Sequence, residues 1–147
     1  MSLIATLQKE LTTAMKERDA ERRDALRLIL SSLQSAEKEL QRPLHDDEEL
    51  QVLQRERKRR LESIDAFESA GRDEQAAKEK GELDVLAEFM PEPLSEGELE
   101  RIVDDAIAEV GATSMRDLGR VMADVTPQIA GRADGSAVSQ LVREKLA

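Results

Sequence analysis

Apolar residues recur three and four positions apart along almost all of this 147-residue chain, and the spacing breaks most clearly at Met90-Pro91-Glu92-Pro93-Leu94. That period is the signature of one buried face of a helix. Two prolines two apart force an extended stretch and remove two backbone donors. Charged residues make up 37% of the chain and aromatics 1%, with Phe67 and Phe89 the only aromatics. A composition rich in Ala, Leu, Glu and Arg favours helix, and the sparse β-branched residues seldom alternate as a strand requires. The expectation is an all-α fold. An N-terminal four-helix domain spans 1–90, a proline-containing linker 91–94, and a C-terminal three-helix domain 95–147.

The stripes and end signals place the helices. Leu3/Ile4, Leu7, Leu11 and Met15 form the first face, with Ser2 suited to cap it. Leu26, Ile29, Leu33, Ala36 and Leu40 form the second, which should stop before Pro43 because the residue preceding proline disfavours the α region. Asp46-Asp47-Glu48-Glu49 opens the third helix, where carboxylates meet the positive end of the dipole. Its apolar positions are Leu50, Leu53, Leu61, Ile64 and Phe67, and Gly71 ends it. The fourth carries Ala76, Leu83, Leu86 and Met90, with Gly81 as a weak point. Beyond the linker, Ser95 and Glu98 have the spacing of a capping box. Leu99, Ile102/Val103, Ala106 and Val110 then face inward, and Gly111 stops the helix. Ser114 suits the cap of a sixth helix, with Met115, Leu118, Met122 and Val125 inward and an end near Pro127. A seventh closes the chain. So small a three-helix unit has a marginal core by itself.

The side-chain inventory excludes several chemistries. Without Cys there is no disulfide, thiol nucleophile or thiolate metal site. No phosphate-binding P-loop, dinucleotide fingerprint or nucleophile elbow is present, and no cofactor is expected. His45 is the only histidine, beside Pro43 and the acidic run 46–49. A metal site needs several ligands at set spacing, so the run reads as a helix start and no metal is expected. Ser31 and Ser32 lie in a Leu-rich helix, where close packing is the simpler reading. No basic n-region followed by a long apolar run opens the chain, and no apolar stretch approaches the roughly 20 residues that span a bilayer. A soluble cytoplasmic protein with no membrane partner is expected.

A formal charge of −10 argues against nucleic-acid binding driven by bulk electrostatics, so the distribution matters more than the sum. Arg55-Glu56-Arg57-Lys58-Arg59-Arg60 points all around its helix rather than to one side. The apolar stripe sets Arg57 and Arg60 on the core side, where their stems can bury while the guanidinium groups reach carboxylates at the rim. Arg22, Arg23 and Arg27 form a second basic group, with local pairing to Glu21 and Asp24 expected. In the tail, residues 92–109 hold seven acids and one base, Arg101. Residues 111–147 hold five bases against four acids. The bases are Arg116, Arg120, Arg132, Arg143 and Lys145. Gly119 and Ala123 make a smooth strip flanked by Arg116 and Arg120. Gly131 and Gly135 bracket a polar turn whose Asp134 can cap the last helix through the N–H of Ser136 or Ala137. Such a turn reads equally as a helix connector or as a phosphate contact. The candidate nucleic-acid-binding residues are therefore Arg116, Gly119, Arg120, Gly131, Arg132, Gly135, Arg143 and Lys145. With no aromatic after Phe89 there is no stacking platform, so any RNA contact would be by shape and phosphate.

Several segments together resemble the YqeY family of GatB/YqeY-domain proteins. They are Met-Ser-Leu at the start, Ala25-Leu26-Arg27-Leu28-Ile29-Leu30, the Glu-x-Lys-x-Arg series at 56–60 with Ser63, and Ala70-Gly71-Arg72. Phe89-Met90-Pro91-Glu92-Pro93-Leu94-Ser95-Glu96, Ala108-Glu109-Val110-Gly111-Ala112, Leu118-Gly119-Arg120-Val121-Met122 and Gly131-Arg132-Ala133-Asp134-Gly135-Ser136 complete the set. Departures are Phe89, Met90 and Leu118 in place of the commoner Tyr, Leu and Met, and Ala130 where the family commonly has Lys. The resemblance implies an all-helical protein whose C-terminal part is similar to the tail domain of GatB, one of the components of the tRNA-dependent amidotransferase. That tail grips tRNA while the chemistry lies in another domain. The implied function is a non-catalytic accessory protein that binds tRNA or a protein handling aminoacyl-tRNA. The alternative is a helical protein–protein interaction module without RNA contact. A third reading, carbon–nitrogen ligase with glutamine as amido donor, follows from the family label alone, and no such activity is expected of the chain by itself. The sequence leaves the oligomeric state open.

Overall fold

A computed structural model describes residues 2–129 and 131–147. Seven α-helices account for most of them, and no strand occurs among the described residues. The helices are α1 (Leu3–Lys16), α2 (Ala20–Leu40), α3 (Asp46–Ser69), α4 (Asp73–Ala87), α5 (Glu96–Val110), α6 (Leu118–Ile129) and α7 (Gly135–Leu146), with a 3-10 turn at Met115–Asp117 leading into α6. The chain divides into two compact units, Met1–Met90 and Pro91–Ala147.

The helix ends follow local chemistry. Ser2 accepts the N–H of Ala5, Asp19 that of Arg22, Ser95 that of Glu98 and Asp134 that of Ser136, each satisfying a donor that has no partner within its helix. Glu48 accepts the N–H of His45 at 2.9 Å and two bonds from Arg42 at 2.8 Å. These bonds hold its carboxyl down to about 2. Buried Glu49 reaches across to the N–H of Leu3 at 3.1 Å, at the start of α1. The acidic run thus begins α3 and also caps α1. Gly111 terminates α5 in the left-handed region, at φ +67, where a side chain would be strained.

Each unit has its own aliphatic core. In the first, Leu7, Leu26, Ile29, Leu33, Val52, Leu53 and Leu86 come from all four helices. In the second, Val103, Ala106, Val121, Val125, Val138, Val142 and Leu146 join α5, α6 and α7. Four expected core members sit outside. Met15, Leu40, Leu61 and Met115 are exposed; Met15 and Leu40 fall in the last turns of α1 and α2, and Met115 in the 3-10 turn before α6. Three local expectations change as well. α6 runs through Pro127 to Ile129. Ser114 caps the 3-10 turn rather than α6 itself. Glu98 pairs with Arg132 instead of closing a capping box with Ser95.

The basic runs are organised across helices. Arg60 sits within 3.9 Å of Glu56, 3.3 Å of Glu79 and 3.4 Å of Glu82, so its guanidinium holds α3 to α4 as the stripe predicts. Arg22 pairs with Glu10 of α1 and with Glu88 just beyond α4, not with Glu21 or Asp24. Arg23 pairs locally, with Asp24 at 2.9 Å, and Arg27 adds a weaker electrostatic pull on the same carboxylate.

Candidate nucleic-acid interface

The tail candidates fall into two groups along α5. Arg116, Gly119 and Arg120 belong to the 3-10 turn and the first turn of α6. Arg120 donates to the Val110 carbonyl at the end of α5 and to Asp117. Asp117 also accepts the N–H groups of Thr113 and Ser114, which together with Arg120 lower its pKa. This group therefore lies at the C-terminal end of α5. Gly119 is exposed, and a Cβ there would meet nothing within 4 Å.

The second group lies beside the first half of α5. Gly131 turns the chain at φ +78, which glycine adopts freely. Arg132 donates from Nε to the Glu92 carbonyl at 2.9 Å and approaches Glu98 at 3.7 Å. Its own carbonyl accepts the N–H of Leu94 at 2.9 Å. The turn is thereby sewn to the extended 92–94 segment. Gly135 is the exposed first residue of α7, with no positive φ and nothing within 4 Å of a Cβ. Lys145 is held between Glu100 at 3.0 Å and Asp104 at 2.9 Å, and hydrogen bonds to Asp104 and then Glu100 raise its pKa. From Glu98 to Val110 the helical rise is about 18 Å, so the two groups are separate footings rather than one patch. Arg143, two residues before Lys145, points to another side of α7 and contacts Ser139 at 3.4 Å.

Of the five candidate cations, Arg120, Arg132 and Lys145 are bound to carboxylates, whereas Arg116 and Arg143 are exposed and have no carboxylate partner among the described residues. Sequence reasoning missed the partners that commit the first three. The Ser95-x-x-Glu98 spacing suggests a cap, and nothing in it shows that Glu98 faces Arg132. Ala130 and Met1 lie outside the described residues. The described residues hold no helix long and apolar enough to cross a membrane.

Two aliphatic-cored helical units, the second bearing exposed arginines and glycines, define an all-α protein with no strand among its described residues. The chain belongs to the Yqey-like protein family, whose pattern it matches over residues 4–146. It is 30% identical over 146 residues to the "Altered inheritance of mitochondria protein 41, mitochondrial" of Pyrenophora tritici-repentis, covering 97% of this chain and 80% of that one. Two archaeal proteins, both components of a Glutamyl-tRNA(Gln) amidotransferase, share a shorter stretch. The one from Thermococcus gammatolerans is 35% identical over 86 residues. Its namesake from Thermococcus sibiricus is 38% identical over 72 residues. These alignments cover 56% and 46% of this chain but only 14% and 11% of the two archaeal chains.

Proposed function

We propose that this protein is a non-catalytic accessory factor that binds tRNA, or a protein handling aminoacyl-tRNA, through its second unit. In this reading it works in the cytoplasm. The observation that carries it is the pair of exposed arginines without carboxylate partners among the described residues, Arg116 and Arg143, beside three other candidate cations, Arg120, Arg132 and Lys145, that are each paired with a carboxylate. Gly119 beside Arg116 leaves a bare surface that a sugar–phosphate backbone could approach closely. The similarity to part of a Glutamyl-tRNA(Gln) amidotransferase component supports RNA as the ligand. It also supports the absence of self-sufficient chemistry, since the shared stretch is a small fraction of that component. Arg120 and Arg132 have a mainly structural part in this scheme, holding the end of α5 and the 92–94 segment. Arg116 and Arg143 are therefore the residues to test.

The experiment is binding of the purified chain to total tRNA across a salt series, with duplex DNA as competitor. Binding should survive the competitor and weaken with salt by a slope of a few phosphates. The Arg116→Glu, Arg143→Glu double variant should weaken it by more than about tenfold, the worth of one charge-assisted hydrogen bond, with an unchanged circular dichroism spectrum. No binding at low salt would overturn RNA recognition and leave a protein partner.

A further inference from the structure

We propose a second ligand site, in the first unit, that takes the phosphate group of a phosphate ester. It is a cleft of about 220 Å³ at the corner between α1 and α2, lined by Met15, Arg18, Asp19, Arg23 and Arg27. Three arginines and one aspartate line this small cleft, a local excess of positive charge in a chain of net charge −10. Two acids lie close and are outnumbered by the three arginines: Asp19 accepts the backbone N–H of Arg22 at 3.1 Å and keeps its charge, and Asp24 accepts from Arg23 Nε at 2.9 Å. An arginine has five donors, so Arg23 keeps others for a ligand. Neither Arg18 nor Arg27 makes an ion pair within 4 Å among the described residues, although Arg27 exerts a weaker pull on Asp24. The last carbonyls of α1 do not oppose an anion, because Thr13, Met15 and Ala14 accept the N–H groups of Glu17, Arg18 and Asp19. Met15 is 51% exposed and gives the cleft an apolar edge, which suits an ester with an organic part better than a bare ion.

The backbone turns at Arg18, beside the cleft. The bonds from Arg18 N–H to the Met15 carbonyl and from Asp19 N–H to the Ala14 carbonyl form a Schellman motif, whose turning residue is usually glycine. Here that residue is Arg18, at φ +59. Glycine is the usual residue in this conformation, but Gln41 takes the same place at the end of α2, at φ +57, so what sets Arg18 apart is that its side chain also lines the cleft. Sequence reading passed over Arg18 because its importance depends on a left-handed turn that only the folded corner reveals.

The test uses the whole chain, ¹⁵N-labelled, titrated with inorganic phosphate against chloride at matched ionic strength. Saturable shifts are expected at the backbone amides of 18–20 and the side-chain Nε of Arg18, Arg23 and Arg27. Arg18→Gly suits the backbone and keeps the fold, and should weaken phosphate by about tenfold, as should Arg27→Gln. Shifts that chloride reproduces, or equal affinity in wild type and Arg18→Gly, would overturn the site. Uridine 5′-monophosphate and a short RNA duplex then separate the sources. Tighter saturation by either at these resonances supports the site and names a free ester or a backbone phosphodiester. Binding of both that leaves these resonances unmoved overturns it.

Discussion

Replacing Arg60 by Met keeps most of the apolar stem and removes the charge that three glutamates share. Arg60, Glu56, Glu79 and Glu82 are each less than one-fifth exposed, so the carboxylates left behind cannot be fully rehydrated. Removing one partner of a buried ion pair costs about 3–5 kcal/mol, and residual exposure places this variant at the lower end, about 3 kcal/mol at pH 7. With an m-value of about 2 kcal/mol per molar urea, the unfolding midpoint falls by about 1.5 M. The pH dependence is the sharper test. Burial already raises the Glu82 pKa above its ordinary 4.5, and Arg60 opposes that rise. Without Arg60 it climbs further. A carboxyl whose pKa is higher in the folded than in the unfolded state destabilises the fold as pH rises through that interval, and costs nothing once protonated in both states. The deficit of Arg60→Met should therefore shrink to below about 1 kcal/mol at pH 4, and Glu82→Gln added to it should recover part of the loss at pH 7. Urea unfolding followed by circular dichroism at both pH values reads this directly. An equal deficit at pH 4 and pH 7 would refute the electrostatic account and assign the effect to packing of the stem.

Gly81 lies inside α4 without a positive φ, and a Cβ there would meet nothing within 4 Å. Gly81→Ala should stabilise the protein by about 1 kcal/mol, read as a higher urea midpoint. For Glu48, the depressed pKa means that its stabilising contribution is complete above pH 4.5 and lost as pH falls to about 2. Acid unfolding of Glu48→Gln should accordingly show a shallower loss of stability across that window, with wild type and variant converging at its lower end.

Within each helix, much was legible in the residues. The all-α class, the caps at Ser2, Ser95 and Asp134, the stop before Pro43 and the core positions Leu7, Leu26, Leu53 and Val103 follow from contacts within about one turn, which the chain specifies before it folds. The stripe even placed the Arg60 guanidinium among acids, although it did not say which acids. What sequence spacing could not specify is how neighbouring helices are rotated and offset. That decides that Arg22 meets Glu10 and Glu88, that Arg132 meets Glu98 and the Glu92 carbonyl, and that Lys145 lies between Glu100 and Asp104. It also leaves Leu61 and Met115 outside the cores and turns Arg18, Arg23 and Arg27 into one cleft. The sequence alone determined where most helices begin, end and bury a face, because those free energies are local, although not the start and end of α6. Which cations remain available to a ligand was decided only by tertiary structure, because pairing across helices depends on distances between residues that can stand 66 positions apart, as Arg22 and Glu88 do.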